Sequence, residues 1–375
     1  MATTRGVHRA HTLEKSELAT VLEQMRKSYG VNSVIKGSEQ RQPYRIPTGI
    51  FPLDFATLGG IPHNRITMID GAKHSGKTTL AERIIVGAQK SLPDQQAAHV
   101  DVEGTRDATW GAKIGVDNDA LIYAQPSTGE QAVDMAEALV RTKDISLVVM
   151  DSIAALVPMK EIEDSVEDAQ VALQAKLVTR CIRKLTAALI DERKREHFVT
   201  VLFINQYRSK IGGWSPNGDP VQGSGGKALG YATSLEITCK NKEIIKKGEG
   251  TTDYNEHAFD IKKNKMNAGL RSGDFIMLRR DHDVYPLGEG AIDDAKTMLA
   301  FAKQFGWYTG GGKSWTLEFP GEYGVTTFEN TEQAILTLYQ DTDFYWALRT
   351  ALVVKNAQNQ KMPDDFIAYL NGANV

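Results

Sequence analysis

The stretch "IDGAKHSGKTTL", Ile69–Leu80, decides the fold of this chain. An apolar segment, Ile66–Ile69, precedes Gly71, and a helical run follows Gly76. A strand, a glycine-rich turn ending in Gly-Lys-Thr and a helix together form a phosphate-binding loop, in which backbone N–H groups surround the β-phosphate of a nucleotide. The stretch therefore predicts a nucleotide site at the start of a helix.

Side chains in this loop have separate expected roles. Lys77 is placed to reach the β- and γ-phosphate oxygens, and the Thr78 hydroxyl to complete the coordination of Mg²⁺. The apolar strand "LVVMD" ends in Asp151, a carboxylate that can hold Mg²⁺ through water, although an aspartate that only caps the next helix would look the same. The predicted nucleotide-binding residues are Gly71, Ala72, Lys73, His74, Ser75, Gly76, Lys77, Thr78 and Thr79.

Hydrolysis also needs a group that activates water near the γ-phosphate. The strand "AAHVDVEG" ends in Glu103, which is expected at the same edge of the sheet as the phosphate loop. Asp101 lies two residues back and therefore deeper in the sheet, so Glu103 is the better candidate for the base. The alternative is a strand-end carboxylate that is merely solvated. A third strand, "VTVLFINQ", ends in Gln206, whose amide could touch the γ-phosphate.

The composition is that of an ordinary soluble globular protein. The chain has 375 residues, of which 41% are hydrophobic and 24% charged, and its net charge of −3 neither supports nor excludes a nucleic-acid partner. The two cysteines, Cys181 and Cys239, lack metal-ligand spacing, which favours a reducing compartment and argues against disulfides and a zinc site. No apolar run approaches the roughly 18 residues of a membrane span. The polar, basic segment Met1–Thr12 does not look like a signal peptide.

Strands and helices alternate between Thr48 and Arg280, which predicts an α/β core with a mostly parallel central sheet flanked by helices. Core strands such as "LVVMD" and "VLFIN" are apolar nearly throughout, as strands buried on both faces should be. The predicted strands are Arg65–Ile69, Ala98–Val102, Leu121–Ala124, Ser146–Met150, Val199–Asn205, Ser234–Thr238, Ala258–Lys262 and Asp274–Arg279. The predicted helices are Thr78–Gln89, Gly129–Arg141 and Ala169–Glu192.

Smaller units are predicted on either side of this core. An apolar stripe within Leu13–Tyr29 predicts a helix, and the mixed segment Ser33–Lys36 predicts a short strand after it. This unit is either a docking arm for a neighbouring molecule or a helix packed on its own body. After Gly290, an amphipathic helix from Ile292, a glycine-turned hairpin and two helices within Glu332–Val354 predict a separate C-terminal α+β unit. The predicted boundaries are 1–46, 47–287 and 288–375.

A long glycine-rich loop follows Gln206. The segment Tyr207–Lys227 carries Arg208, Lys210 and Trp214 among many glycines. Basic groups on a flexible backbone suit the phosphates of a nucleic acid, and Trp214 could stack on or wedge between bases. A flexible surface loop without a ligand is an equally good interpretation of the composition alone.

Seven ordered motifs extend this pattern, namely "GAKHSGKTT", "DVEG", "QPSTGEQA", "VVMDSIAALVP", "LFINQYRSKIGG", "GSGGKAL" and "KKNKMNAG". In order and spacing they make the chain resemble the bacterial- and phage-type RecA recombinases over nearly its whole length. The resemblance implies a RecA-like P-loop ATPase core with an N-terminal helix/strand polymerisation arm and a small α+β C-terminal domain. It also implies a DNA-dependent ATPase that polymerises on single-stranded DNA and catalyses homologous pairing and strand exchange in recombinational repair.

The cofactors and partners that the resemblance implies are ATP, Mg²⁺, single-stranded DNA and homologous duplex DNA. A homo-oligomeric helical filament, single-strand-binding and mediator proteins, and the cytoplasm of a bacterial cell or phage-infected host are implied as well. A hexameric ring motor on the same fold, such as a replicative helicase, stays open as an alternative. So does a nucleotide-switched DNA-binding filament with negligible turnover.

The resemblance also assigns residues. Glu103 matches the glutamate that activates water, Gln206 the glutamine that senses the γ-phosphate, and Asp107 with Trp110 the pair around adenine. Lys263 and Lys265 match lysines that reach the ATP of the adjacent protomer. The implied DNA-binding loops are Glu163–Gln170 and Tyr207–Gly226. The implied DNA contacts are Lys176, Arg183, Arg208, Lys210, Ile211, Gly212, Gly225 and Gly226, to which the composition of the loop adds Trp214 and Lys227, and Lys240 and Lys242 lie near a site for a second duplex.

Several positions depart from the family pattern. Lys73 and His74 replace small or acidic residues of the phosphate loop, Trp110 replaces a tyrosine, and Lys176 replaces an arginine. Gly230 stands where bacterial members carry a lysine at the protomer interface. The sequence ends at Val375 without the acidic tail of bacterial members, a tail that restrains duplex invasion. These departures favour a phage or otherwise distant member of the family.

Overall fold

The central feature of the fold is a large mixed sheet. The computed structural model describes residues 17–40, 42–160, 171–209, 221–223, 226–245, 254–267 and 272–372. Within these ranges nine strands form one sheet in the order β13-β12-β11-β10-β3-β7-β6-β4-β5. The six strands from β10 to β5 run parallel to one another, and β11, β12 and β13 continue the sheet antiparallel. The predicted α/β core with a mostly parallel sheet is confirmed.

The strands are β1 Arg45–Ile46, β2 Ile61–Pro62, β3 Ile66–Gly71, β4 Gln96–Asp101, β5 Leu121–Ala124, β6 Ile145–Asp151, β7 Thr200–Ile204, β8 Tyr207–Ser209, β9 Val221–Gly223, β10 Leu235–Ile245, β11 Tyr254–Asn264, β12 Ser272–Leu278, β13 Ile292–Asp293, β14 Tyr308–Gly311, β15 Ser314–Glu318 and β16 Val325–Phe328. The α-helices are α1 Glu17–Tyr29, α2 Phe51–Thr57, α3 Lys77–Ser91, α4 Ala108–Ile114, α5 Gly129–Val140, α6 Val171–Lys194, α7 Gly226–Ala232, α8 Ala295–Gln304, α9 Thr331–Gln340, α10 Thr342–Asn359 and α11 Asp364–Gly372. Short 3₁₀ helices cover Val31–Ser33, Gly37–Glu39 and Ile153–Ala155.

Helices pack on both faces of the sheet, and the central strands are therefore buried on both sides. One cluster packs α3 and the apolar residues before it against β3, β10 and β11, with Leu80, Ile84 and Phe259 fully buried. The opposite cluster packs α5 and α6 against β4, β6 and β7, with Leu185 and Phe203 at its centre. At ~25 cal/mol per Å² of apolar area removed from water, these two clusters are the main favourable contribution to folding.

A second body of α8–α11 and the hairpin sheet β14-β15-β16 forms its own aromatic core, into which α2 inserts Phe51 and Phe55. A buried ion-pair cluster joins the two parts of the molecule. The guanidinium of Arg349 on α10 pairs with the carboxylate of Asp54 on α2, and its Nη1 lies 3.5 Å from Oδ2 of Asp294. All three side chains are at least 96% buried.

Two predicted elements differ from the structure. The segment Ser33–Lys36 is not a strand within the described residues, since a 3₁₀ turn ends at Ser33 and the backbone of Val34 and Lys36 is extended without ladder pairing. Ile292 belongs to β13, which pairs with β12, and the helix begins only at Ala295. The spacing of apolar residues could not show whether Ile292 belongs to a strand or to the helix, because an apolar residue just before an amphipathic helix fits both patterns.

The apolar stripe of α1 is exposed. Leu18 and Tyr29 are 65% and 66% exposed, and no residue of α1 is buried. The arm touches the body just beyond α1, where the amide of Asn32 donates to the Glu196 carboxylate and Gly30 lies beside Lys194 on α6. Packing of α1 on its own body, one of the two interpretations of the stripe, is therefore wrong.

Candidate nucleotide and DNA site

Three of the predicted catalytic side chains, Lys77, Glu103 and Gln206, meet at one edge of the sheet. Parallel strands β3, β4, β6 and β7 all end there, and the residues at or just beyond their ends are Gly71 of the phosphate loop, Glu103, Asp151 and Gln206. Asp101 and Asp151 are direct neighbours in the register of β4 and β6. This is the side on which open α/β sheets bind ligands, outside the carboxyl ends of the strands. The other two, Lys263 and Lys265, lie at the opposite edge, beside the start of β10.

The phosphate loop between β3 and α3 depends on its glycines. A Cβ atom on Gly71 would lie 2.5 Å from the carbonyl oxygen of Cys239 and from Oγ of Ser75. Gly76 has φ of 87°, and a Cβ there would lie 3.0 Å from the His257 ring beneath the loop. His74 also takes a left-handed conformation with φ of 63°. The loop thus turns its backbone around the start of α3, where helix N–H groups and the dipole favour phosphate.

Lys77, the first residue of α3, folds back across the loop. Its Nζ donates a 2.7 Å hydrogen bond to the carbonyl oxygen of Ala72. Burial lowers the pKa of this ammonium, and the nearby Asp151 and Glu103 carboxylates oppose that shift. Ala72, Lys73 and His74 are exposed around it, as is Thr78, whereas Ser75 is buried and Thr79 partly so. The predicted phosphate-binding residues are therefore assembled on one turn.

The predicted metal ligands are in contact. Thr78 Oγ1 donates to Oδ2 of Asp151 at 2.8 Å. Burial raises the pKa of Asp151 to about 6, and the hydrogen bond from Thr78 opposes that rise. Within the described ranges no group of three or more His, Cys, Asp or Glu side chains could hold a metal. A hydroxyl and one carboxylate fit Mg²⁺, which takes few protein ligands and shares the phosphates of a nucleotide.

The Glu103 carboxylate is held by two donors from neighbouring strand ends. Ser152 Oγ donates to Oε1 of Glu103 at 2.5 Å, and Nε2 of Gln206 donates to the same oxygen at 2.6 Å. Gln206 immediately precedes β8, the first strand of the predicted DNA-binding loop. The candidate base and that loop are therefore joined by a single hydrogen bond.

The residues predicted around adenine begin α4. Asp107 is the N-cap of this helix, with Oδ1 accepting from the backbone N–H of Thr109 and Trp110 at 2.8 and 3.2 Å. Trp110 packs partly against the core cluster beneath α3. Its position leaves part of the indole available for stacking, while Asp107 also has a structural role that the sequence pattern did not reveal.

Sequence reasoning missed a buried ion pair beside the site. Nε and Nη2 of Arg106 donate to the two carboxylate oxygens of Glu82 on α3, at 2.8 and 3.2 Å, and both side chains are at least 94% buried. Nδ1 of His99 on β4 lies 3.7 Å from Oε1 of Glu82. A Cβ on Gly111 would lie within 3.0 Å of both partners, so α4 packs directly on the pair. The detectable signal was a charged residue at an otherwise apolar position of α3.

The structure describes only some of the residues predicted to contact DNA. Lys176 and Arg183 are both exposed on α6, seven residues apart and hence on one helix face. Arg208 belongs to β8, which pairs with β9 through Gln222, and Gly226 and Lys227 begin α7. The range Glu163–Gln170 and the residues Lys210, Ile211, Gly212, Trp214 and Gly225 lie outside the described residues, as do the side chains of Arg208, Lys227 and Lys242. Lys240 pairs with Asp260 of the adjacent strand at 2.5 Å.

The lysine pair at the end of β11 contacts the end of α7. Nζ of Lys263 donates to the carbonyl oxygen of Gly230, and Nζ of Lys265 donates to that of Tyr231 at 3.0 Å. Burial and the neighbouring Lys265 lower the pKa of Lys263. Two cations at the carboxyl end of a helix complement its dipole. The pair is thus connected, through α7, to the segment that closes the predicted DNA-binding loop.

Comparisons with known proteins agree with this arrangement. Residues 16–281 match the model of the RecA N-terminal domain. The chain belongs to the RecA family. It is 40% identical over 299 residues to the protein RecA of Leifsonia xyli, an alignment that covers 78% of this chain and 79% of that protein. It is 38% identical over 309 residues to RecA of Bifidobacterium longum, with 80% and 74% covered, and 39% identical over 299 residues to RecA of Nocardia farcinica, with 78% and 82% covered.

Membership of the RecA family gives the activity of this chain in outline. It is a recombinase of DNA recombination and repair and a DNA-dependent ATPase. The RecA-type fold and the P-loop fit that assignment. In the part of the chain that the structure describes, no helix combines the length and apolar character needed to span a bilayer.

Proposed function

We propose that this RecA-family protein hydrolyses ATP at the interfaces of a filament on single-stranded DNA, with Glu103 as the base and Gln206 as the link to DNA. The observation that carries the proposal is the 2.6 Å hydrogen bond from Gln206 to Glu103. One end of this pair lies beside the phosphate loop, and the other begins β8. A change in the loop on DNA therefore reaches the base through one side chain.

Residues of this chain would have separate roles at the phosphates. Lys77 would exchange the Ala72 carbonyl for phosphate oxygens, and Thr78 with Asp151 would hold Mg²⁺. Mg²⁺ supplies neutralisation of charge on the β- and γ-phosphates when it is bound. Gln206 would turn its amide from Glu103 to the γ-phosphate, which frees the Glu103 carboxylate to accept a proton from the attacking water. Trp110 would stack on the adenine, and Asp107 would fix the start of α4 beneath it.

A neighbouring protomer would complete the site. Lys263 and Lys265 lie at the end of α7 and would reach the ATP of the next protomer, where cations stabilise the transferred phosphoryl group as an arginine finger does. The exposed apolar stripe of α1 suits burial against the next molecule, so residues 1–46 would be the docking arm. Core and C-terminal regions would then be 47–287 and 288–375.

Contacts to DNA would come from α6 and the two loops. Lys176 and Arg183 would bind phosphates of the primary strand together with the loop after Gln206, and Lys240 and Lys242 would lie near a second duplex. Because binding energies are reciprocally linked, DNA would tighten ATP binding by the same factor as ATP tightens DNA binding. Homologous pairing, strand exchange and contacts with single-strand-binding and mediator proteins would take place in the cytoplasm of a bacterial or phage-infected cell.

The test is ATP hydrolysis measured with and without single-stranded DNA, in the wild-type protein and in Glu103→Gln. We expect DNA to stimulate the wild type, and the variant to lose at least about 100-fold in kcat while it still binds ATP. Glu318→Gln, the same charge-removing change at an exposed position of β15, serves as the matched control. A rate of ATP hydrolysis that is the same with and without DNA, or that is unchanged in Glu103→Gln, would contradict the proposal.

A further inference from the structure

Asp101, the last residue of β4, has a fully engaged carboxylate two residues before Glu103. It is only 2% exposed. Its Oδ1 accepts from the backbone N–H groups of Glu103 and Gly104 at 3.1 and 2.8 Å. Its Oδ2 accepts from the backbone N–H of Arg106 at 3.0 Å and from the Tyr123 hydroxyl at 2.9 Å. The backbone of the loop after β4 therefore folds around the buried carboxylate of Asp101.

These bonds define the backbone that carries Glu103. Gly104 has φ of 66°, a left-handed turn that brings the next N–H groups back toward Asp101. On its other side, the N–H of Glu103 approaches the carbonyl oxygen of Asp151 at 3.3 Å, and the N–H of Val102 donates to the same oxygen at 2.7 Å. Hydrogen bonds to an ionised acceptor are stronger than neutral ones. Asp101 therefore constrains the direction in which the Glu103 side chain leaves the strand.

The same geometry separates Asp101 from the chemistry itself. A carboxylate offers about four acceptor sites, and all four donors here come from the protein. An attacking water would have to displace one of them. Asp101 is thus a support for the base rather than a second base, although both carboxylates lie at the end of one strand.

We propose that Asp101 is a positioning residue for ATP hydrolysis, which holds the loop of residues 102–106 so that Glu103 meets the attacking water, with Tyr123 as its support from β5. The proposal rests on the role of Glu103 proposed above. A displacement of about 1 Å in a catalytic group can cost a factor of 100 in rate, so a loosened loop should affect turnover strongly. Binding of ATP should change little, for two reasons. The phosphate loop belongs to a different strand and helix, and the ion pair of Arg106 with Glu82 holds the start of α4, where Trp110 lies, independently of Asp101.

The experiment is a double-mutant cycle with steady-state ATP hydrolysis in the presence of single-stranded DNA. Asp101→Asn keeps the size of the side chain but replaces one acceptor oxygen by a donor that faces N–H groups. We expect kcat to fall about 100-fold while KM for ATP stays within about twofold. Tyr123→Phe removes one of the four bonds and should lower kcat by a smaller factor, about threefold. In a Glu103→Gln background, Asp101→Asn should cause no further loss.

A matched control comes from a similar turn on the surface. Oδ1 of Asp117, in the exposed loop after α4, accepts from the backbone N–H groups of Asp119 and Ala120 at 3.0 and 3.3 Å, and within the described residues this carboxylate makes no hydrogen bond to the loop of residues 102–106. Asp117→Asn should leave both kcat and KM unchanged. Thermal unfolding of each variant fixes an assay temperature at which all are folded.

The two proposals fail in different arms of the cycle. If Glu103→Gln hydrolyses ATP like the wild type, the role of Glu103 is wrong, and the positioning role of Asp101 is lost with it. If Glu103→Gln loses about 100-fold in kcat as expected, but Asp101→Asn lowers the residual hydrolysis of that variant by the same factor as it lowers the wild type, Asp101 acts on general structure and only the positioning role is overturned. A rise in KM without a fall in kcat would overturn it as well.

Discussion

Nε2 of Gln206 lies 2.6 Å from Oε1 of Glu103 and donates a hydrogen bond to it. Ser152 Oγ donates to the same carboxylate oxygen from the end of the intervening strand β6. Three adjacent strands thus contribute one side chain each to a single cluster. Because the next residue after Gln206 starts β8, we expect a change in the path of the proposed DNA-binding loop to move this amide.

Gln206→Asn should weaken the coupling between DNA and hydrolysis. The side chain is one methylene shorter and cannot span the distance to Glu103 without moving β7. We expect the ratio of kcat with and without single-stranded DNA to fall about tenfold, within the usual range of coupling between two sites. The measurement is steady-state hydrolysis at saturating ATP. A variant that keeps the wild-type ratio would show that the signal takes another path.

Arg106→Leu should destabilise the protein strongly, because it leaves the buried Glu82 carboxylate without its guanidinium partner and with only the His99 ring 3.7 Å away. We expect a loss of about 3–5 kcal/mol in the free energy of unfolding, and recovery of most of it in Arg106→Leu/Glu82→Leu. Lys184→Leu removes the partner of the exposed Asp134 and should cost less than ~1 kcal/mol. Urea unfolding measures all three. A double variant no more stable than Arg106→Leu would contradict the interpretation.

His63 should make stability fall in mild acid. Burial and the neighbouring His197 lower the pKa of His63 from 6.5 to about 4. The unfolded chain therefore binds a proton that the folded chain excludes, and stability is lost as the pH falls from about 6.5 to about 4. The loss attributable to this one group is at most about 3 kcal/mol.

His63→Gln isolates that loss, because glutamine stays neutral and can still contact Thr200, the present partner of the ring Nδ1 at 2.8 Å. Carboxylates that titrate in the same range are common to both proteins and cancel in the difference. Unfolding measured from pH 4 to 7.5 should show a shallower decline for His63→Gln. Parallel curves would contradict the predicted neutral state of the buried ring.

The stripe on α1 gives a prediction for assembly. Leu18→Glu with Tyr29→Glu places charge on two side chains that are about two-thirds exposed, so the folded protomer should keep its melting temperature within about 1 °C. We expect filaments on single-stranded DNA, viewed by negative-stain electron microscopy, to be lost or shortened. Glu23→Ala, on the polar face of α1 and paired with Lys27, is the control and should still form filaments.

Strands that end at the site could be predicted closely from sequence. The structure has β3 at Ile66–Gly71 and β6 at Ile145–Asp151, within two residues of the predicted Arg65–Ile69 and Ser146–Met150. Both are mostly apolar and fully buried because both faces are covered, and the phosphate-loop pattern determines the turn and helix after β3. Parallel strands then bring Glu103, Asp151 and Gln206 to one edge, which is why site residues could be proposed without a structure.

Contacts between side chains far apart in sequence could not be predicted in the same way. Nothing local to Glu82 or Arg106 shows that one neutralises the other, and Asp107 looks like a ligand contact until its helix N-cap role is seen. Val34 and Lys36 are extended but have no ladder partner among the described residues of their own chain. A strand is defined by its neighbour, and propensity alone does not supply one.

The ion-pair cluster of Asp54, Arg349 and Asp294 has a consequence for experiments on shortened chains. Removing the C-terminal body would leave the Asp54 carboxylate without the guanidinium of Arg349 and would expose Phe51 and Phe55 of α2 to solvent. Such a fragment would aggregate or melt early for reasons unrelated to DNA. Calorimetry of the intact protein should accordingly record the core and the C-terminal helices melting together, as one cooperative transition.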